Sequence, residues 1–384
     1  MDNKQKNKVG KVILTAALAI SAVIPTQTLT NNTAYAATTL DETKAEYKHK
    51  VYTELVNLSY SGMTKAISDI EKSTSGATLS EAYYEWAIKN IYIGASDHTN
   101  MSYGTFKDYR DRIEEAYSTD SAKRIYEEAT NLGSNLSRIS RTGLSTYTKS
   151  NYYSYLENNR SSSSRQTSIV REAEGKSELI YKLNSLDLTR LGKNNFKDNI
   201  DDFRISLSEA QSYYKDAETK SNYNKQLNSI RDLKPSTIEN YKRKIEQSYS
   251  TRDMQNYINE AKGKVEEIKK VRNIPNLTEE GKREFADKIE NANSLESAKQ
   301  VTKDAEYKSE KIKELEEKWL KKEAPQFKSL SQEEFNTYKR RIETANSSSA
   351  IDNVFKQAID TVRKKYIDDI NKLDKLTSEG KSNY

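Results

Sequence analysis

The chain has 384 residues, 63 Lys and Arg against 57 Asp and Glu, and a formal charge of +6. It holds no cysteine, which excludes disulfides and thiolate chemistry, and 34% hydrophobic against 31% charged residues excludes one large apolar core. Only 12 Gly and 4 Pro argue against a sheet-and-turn fold.

The chain opens with Lys4, Lys6, Lys8 and Lys11, runs apolar from Val12 to Ile24, and then carries Ala34-Tyr35-Ala36. A basic start, an apolar run and an A-x-A site predict a cleaved signal peptide over residues 1–36. The apolar run is short for a span of about 20 residues, and no later stretch is apolar enough to cross a bilayer. Losing residues 1–36 removes four Lys and one Asp from the +6, which leaves about +3. The end, Thr377 to Tyr384, has no LPxTG-like sorting signal. The expected mature form is therefore secreted or only loosely associated with the cell surface.

From Leu58 onward the sequence repeats. Leu58, Met101, Leu144, Leu188, Leu233, Leu277 and Leu330 are anchors 43, 43, 44, 45, 44 and 53 residues apart. Each is followed 12 residues later by Ile70, Ile113, Leu156, Ile200, Ile245, Ile289 or Ile342, and 16 or 17 further on by Ala87, Ala129, Ala173, Ala217, Ala261, Ala305 or Ala358. A period of a few tens of residues means an array of small structural units. After the anchors come Ser59, Ser102, Ser145, Thr189, Thr278 and Ser331, which read as helix N-caps; Lys234, followed by Pro235, departs. Ser331 and Glu334 form a capping box. Eight residues after the anchors stand Tyr109, Tyr152, Phe196, Tyr241, Phe285 and Tyr338, with Ala66 the exception. Each aromatic shares a helix face with the Ile or Leu four residues on.

The first helix of the Leu277 repeat should stop near Asn293-Ser294. A second helix should bury Ala298, Val301 and Ala305 and run on to Pro325. Tyr83, Ile125, Ile169, Tyr213, Tyr257, Val301 and Val354 hold the equivalent stripe position. The expected fold is all-α: a tandem array of three-helix-bundle repeats that share long connecting helices, forming an elongated rod. The expected boundaries are 37–97 for an atypical capping repeat, then 98–140, 141–184, 185–229, 230–273 and 274–325, with 326–384 as the last repeat and tail. The first repeat has an extra Gly76 in its turn. Asn158–Arg165, NNRSSSSR, reads as an extended turn, with a flexible linker as the alternative. Extra residues before Leu330 lengthen one connecting helix.

The pattern L-T-x6-F-x3-I-x2-A-x-S-x6-V-x3-A resembles the repeat of the staphylococcal-type giant extracellular matrix-binding surface proteins. Lys288 to Val301, KIENANSLESAKQV, resembles the protein G-related albumin-binding (GA) module. The resemblance implies strings of three-helix bundles at a Gram-positive cell surface, with roles in adhesion and virulence. It implies host plasma or matrix proteins as partners: albumin, fibronectin, fibrinogen, immunoglobulin or complement.

The residues themselves offer no convergent catalytic set. His49 and His98 lie outside the repeated positions, and the pairs Glu266-Glu267, Glu279-Glu280 and Glu333-Glu334 point apart on a helix. We expect no enzyme activity, cofactor or metal. The recurrent signature is Tyr109–Glu114 (YRDRIE), Tyr241–Glu246 (YKRKIE) and Tyr338–Glu343 (YKRRIE). It reads either as a basic, tyrosine-bearing patch for an acidic partner such as wall polymer, or as core residues roofed by Lys and Arg stems. The closing glutamate offsets part of the positive field. Tyr92, Tyr103, Tyr117, Tyr153, Tyr155 and Tyr223, off the repeated positions, are either ligand contacts or helix-junction packing. Interleaved acids argue against nucleic acid. The expected function is an exported adhesin-like binding protein. A secreted immune-evasion factor and an envelope spacer are the alternatives, and the ligand-binding residues are not identified by the sequence.

Overall fold

The computed structural model describes residues 39–319 and 330–372, with residues 378 and 380. The signal peptide, the stop at Pro325 and the extra residues before Leu330 lie outside the described residues. Among those described there are fifteen helices and no strand. After α1 (Leu40–Glu54), short and long helices alternate. The short ones are α2 (Tyr60–Lys72), α4 (Tyr103–Glu115), α6 (Thr146–Asn158), α8 (Arg190–Ile200), α10 (Pro235–Gln247), α12 (Glu279–Glu290) and α14 (Gln332–Thr344). The long ones are α3 (Gly76–Ala95), α5 (Thr119–Ser140), α7 (Ser163–Leu183), α9 (Leu207–Asn228), α11 (Thr251–Asn273), α13 (Leu295–Trp319) and α15 (Ser348–Asn371).

The starts follow the cap chemistry. Ser59, Ser102, Ser145, Thr278 and Ser331 each accept a hydrogen bond from the third helical N–H, and Ser331–Glu334 closes its box. Lys234 makes no side-chain cap, and Pro235 opens α10 in its place, where a missing N–H costs nothing. α12 ends at Glu290 and α13 starts behind Ser294, as the Asn-Ser cluster predicts.

Buried side chains fall on the repeated positions. Ile70, Leu156, Ile200, Ile245, Ile289 and Ile342 are fully buried. α3 packs with α1 and α2 and again with α4 and α5, while α5 packs with α4 and also with α6 and α7. α11, α12 and α13 form another mutually packed triplet. α3 and α5 thus each serve two bundles. The chain divides into two compact bodies: one runs to Ser185 and adds Phe196–Tyr214, and the other takes Leu186–Asn195 and Lys215 onward. The first holds cores around Leu79 and Trp86 and around Tyr152 and Leu156. The second holds one around Tyr241 and Ile258 and one around Phe285, Ile289 and Ile342.

Three local expectations are corrected. In the first repeat Trp86, not Ala87, fills the core position, 16 residues after Ile70 as in most other repeats, because Gly76 is the first residue of α3 and not an addition to the turn. Tyr213 is 39% exposed, and its neighbour Tyr214 packs on the core instead. In the NNRSSSSR run α6 includes Asn158 and α7 begins at Ser163, so the turn is only 159–162. Ser162 caps α7, and the Gln166 side chain donates to the Arg160 carbonyl.

Candidate binding surface

The most completely built bundle is α11–α13. Ile268, Val271, Leu277, Phe285, Ile289, Ala298 and Ala305 meet in its core. Gly263 lets α13 come close to α11: a Cβ there would stand 2.6 Å from both methyls of Leu295.

A polar layer inside this bundle positions α12. Lys264 is only 3% exposed. Its ammonium donates to the carbonyls of Glu290 at 3.2 Å and Ala292 at 2.6 Å, the free acceptors at the C-terminus of α12. It also pairs with Glu260 at 3.5 Å, and Glu260 accepts the Tyr241 hydroxyl at 2.9 Å. Burial holds the Lys264 pKa below its ordinary value, against the opposing pull of Glu260. Burial, with Glu260 beside it, raises that of Tyr241. At the other end of α12, Glu343 accepts from Thr278 N at 2.5 Å and from its hydroxyl at 2.7 Å. Nearby, burial pushes the Glu267 carboxyl up, but Lys270 at 2.7 Å and Thr302 more than reverse this and hold it below its usual range.

The same device recurs. Lys89 donates to Glu114 O and Ala116 O, Lys176 to Asp202 O and Ile205 O, and Lys308 to Glu343 O. Each pairs with an acid one turn earlier, Glu85, Glu172 or Asp304. α5 lacks the lysine and places Leu132 in its core. Sequence reasoning missed this layer, although the signal was present: Lys176, Lys220, Lys264 and Lys308 all stand three residues after the repeated Ala.

Two recesses flank α12. The larger, about 900 Å³, has Leu233, Ile268 and Ala286 as its apolar floor and Lys234, Arg272, Arg283 and Asp287 on its rim. The smaller, about 410 Å³, lies along Tyr241, Lys244 and Gln247 and the turn Asn291–Asn293. The charges around the larger are largely matched: Lys234 pairs with Asp287 at 2.7 Å and Arg272 with Asp232 at 2.7 Å. Half-buried Ala286, Ala292 and Val301 and exposed Tyr307 add apolar area on α12 and α13. Such a surface of helix faces with an apolar floor and polar rim suits protein recognition.

The YRDRIE, YKRKIE and YKRRIE motifs take the packing reading. Tyr109, Tyr241 and Tyr338 are buried. Arg112 pairs with Glu128, Lys242 with Asp187, and Arg340 with Glu280, Glu284 and Glu343. The closing acids are hydrogen-bonded caps rather than field-offsetting surface charges: Glu114 and Glu343 are 5% and 1% exposed. Of the six singled-out tyrosines, Tyr92 stacks on Tyr126, and Tyr153 and Tyr223 pack on cores. Tyr155 meets Phe203 edge-on, while Tyr103 and Tyr117 are 73% and 87% exposed. His49 is exposed on α1, and His98 lies on the Phe106 ring at 4.7 Å. Among the described residues no group of three or more His, Asp or Glu stands close enough to hold a metal ion, and no helix is long and apolar enough to cross a membrane.

Residues 261–309 match the GA module. The match begins inside α11, takes in all of α12 and ends inside α13, so it coincides with the bundle just described. It covers 49 residues of the 384. No curated protein matches the chain.

Proposed function

We propose that this is an exported, non-enzymatic binding protein that presents three-helix bundles to a host plasma or matrix protein. Serum albumin is the first candidate, taken by the α11–α13 bundle. The observation that carries this reading is the coincidence of the GA module match with a bundle whose three helices, core and caps are all in place. The GA module is an albumin-binding domain. Export rests on the leader-like segment 1–36, and a secreted or loosely surface-held location goes with it. Repetition of the bundle along one chain would add avidity where more than one copy binds.

The test is capture from plasma by the immobilised chain lacking residues 1–36, read by mass spectrometry. Albumin is expected among the retained proteins, and Arg283→Glu with Tyr307→Ala, both exposed on α12 and α13, should abolish its capture while far-ultraviolet circular dichroism stays unchanged. Failure to retain albumin, fibronectin, fibrinogen, immunoglobulin or any complement factor would end this proposal. An envelope spacer resting on anionic polymer is the weaker reading, since the basic residues of its supposed patch already face Glu128, Asp187 and Glu284.

A further inference from the structure

Successive short helices are joined by a carboxylate. Glu114, Glu157, Asp201, Glu246, Glu290 and Glu343 each follow the buried Ile or Leu of their own helix. Each accepts the N-cap N–H of the short helix before: Ser59, Ser102, Ser145, Thr189, Lys234 and Thr278 respectively. An acid at a helix N-terminus satisfies a free donor and opposes the positive end of the dipole.

The joints fall into two classes, and the third residue of the receiving helix separates them. At α2, α8 and α12 this residue is Gly62, Gly192 or Gly281. A Cβ on Gly62 or Gly281 would stand 2.6 or 2.7 Å from the glutamate carboxyl carbon, and Glu246 crowds Gly192 in the same way. There the glutamate takes both the N–H and the hydroxyl of the cap, as with Ser59 at 2.6 and 2.6 Å and Thr278 at 2.5 and 2.7 Å; Thr189 does the same. At α4 and α6 the residue is Thr105 or Thr148. The cap hydroxyl turns to that threonine instead, Ser102 at 3.0 Å and Ser145 at 3.1 Å; at α4 the acid keeps only the N–H, while at α6 the Thr148 hydroxyl itself donates to the Asp201 carbonyl at 2.5 Å. α10 has Thr237 there and a cap, Lys234, with no hydroxyl to offer.

We propose that glycine or threonine at this one position sets how firmly neighbouring short helices hold together. The α2–α4, α8–α10 and α12–α14 joints are tight and the α4–α6 joint is loose; at α6–α8 and α10–α12 a second contact, Thr148 to the Asp201 carbonyl or Lys234 to Asp287, stands in for the missing one. Among the described joints the α4–α6 joint is therefore the first to open. The joint at α12 holds the start of the bundle proposed to bind albumin, but the inference does not depend on that binding.

Hydrogen exchange of the full chain lacking residues 1–36, read by mass spectrometry, tests this. First-turn amides of α2, α8 and α12 should exchange at least tenfold more slowly than those of α4. Gly281→Thr should speed the first turn of α12 about tenfold with Glu343 still present. Thr105→Gly should slow the first turn of α4 severalfold. That direction is diagnostic, because glycine weakens a helix interior on propensity alone and would otherwise speed exchange. Faster exchange in Thr105→Gly, or equal protection of both classes in the unaltered chain, overturns the proposal, even where Gly281→Thr does not fold.

Discussion

Consider Lys264→Met, which keeps the four-atom stem and removes the ammonium. Two carbonyls at the end of α12 lose their donor, and Glu260 loses its cation at 3.5 Å. A buried acceptor left unsatisfied costs about 1–3 kcal/mol. Removing one partner of a buried pair costs about 3–5 kcal/mol. Glu260 is 19% exposed on its side chain and keeps the Tyr241 hydroxyl, so its share is smaller. Against these losses stands relief of the ammonium's own desolvation, the cause that lowers its pKa. We expect a net loss of about 2–4 kcal/mol, from two orphaned carbonyls less that relief. With a urea slope of about 2 kcal/mol/M, the transition that includes α11–α13 should move down by about 1–2 M. Circular dichroism of the full chain reads this, with Lys262→Met on the exposed side of α11 as a control that should not move. An unchanged or raised midpoint in Lys264→Met would refute the view that the lysine stabilises α12 by capping it.

Other outcomes follow from the same structure. Ile289→Asp puts an unpaired charge at a fully buried position and should melt α11–α13, so undiminished helical signal would count against the core described here. Tyr241→Phe should cost only about 1 kcal/mol, because one hydrogen bond to Glu260 is lost without a cavity. Stability should also fall at alkaline pH. Burial first, and a hydrogen-bonded or nearby glutamate second, raise the pKa values of Tyr83, Tyr109, Tyr152 and Tyr241 above their ordinary value. These phenols stay neutral in the fold, so their contribution is whole below about pH 10, where unfolded tyrosine titrates, and is lost as pH rises beyond it. Lys176 and Lys264, lowered chiefly by burial, act in the opposite direction up to about pH 10.4. The four phenols outnumber them, and a melting temperature that stays flat from pH 9 to 11.5 would contradict this account.

Much of the scaffold was legible because its signals are local. A Leu, a Ser and an aromatic at fixed spacing specify a cap and one buried face, and α4, α6, α12 and α14 begin where those residues say. Asn293-Ser294 marks a turn for the same reason. The joints were not legible in the same way. Lys264 and Glu343 look like ordinary surface charges on a solvated face, and only a neighbour 26 to 65 residues away buries them. Their recurrence after Ala and Ile was the available clue; the lysine went unremarked, and the glutamate read as offsetting the positive field. Trp86 was misassigned because Gly76 read as an extra turn residue, whereas it is the first residue of α3. The α11–α13 bundle was reached through its resemblance over Lys288 to Val301, but its recesses were not, since they are lined by residues as far apart as Asp232 and Glu290 that only the fold brings together.

A helix that belongs to two bundles also constrains how such a chain tolerates lengthening. α11 runs unbroken through Ala261, where the GA module match begins. Deleting one residue at its middle would rotate everything beyond by about 100°. Lys264 would then turn away from Glu260, and Glu290 would miss the Lys234 N–H. Insertions and deletions should therefore be confined to the turns or come in whole helical turns.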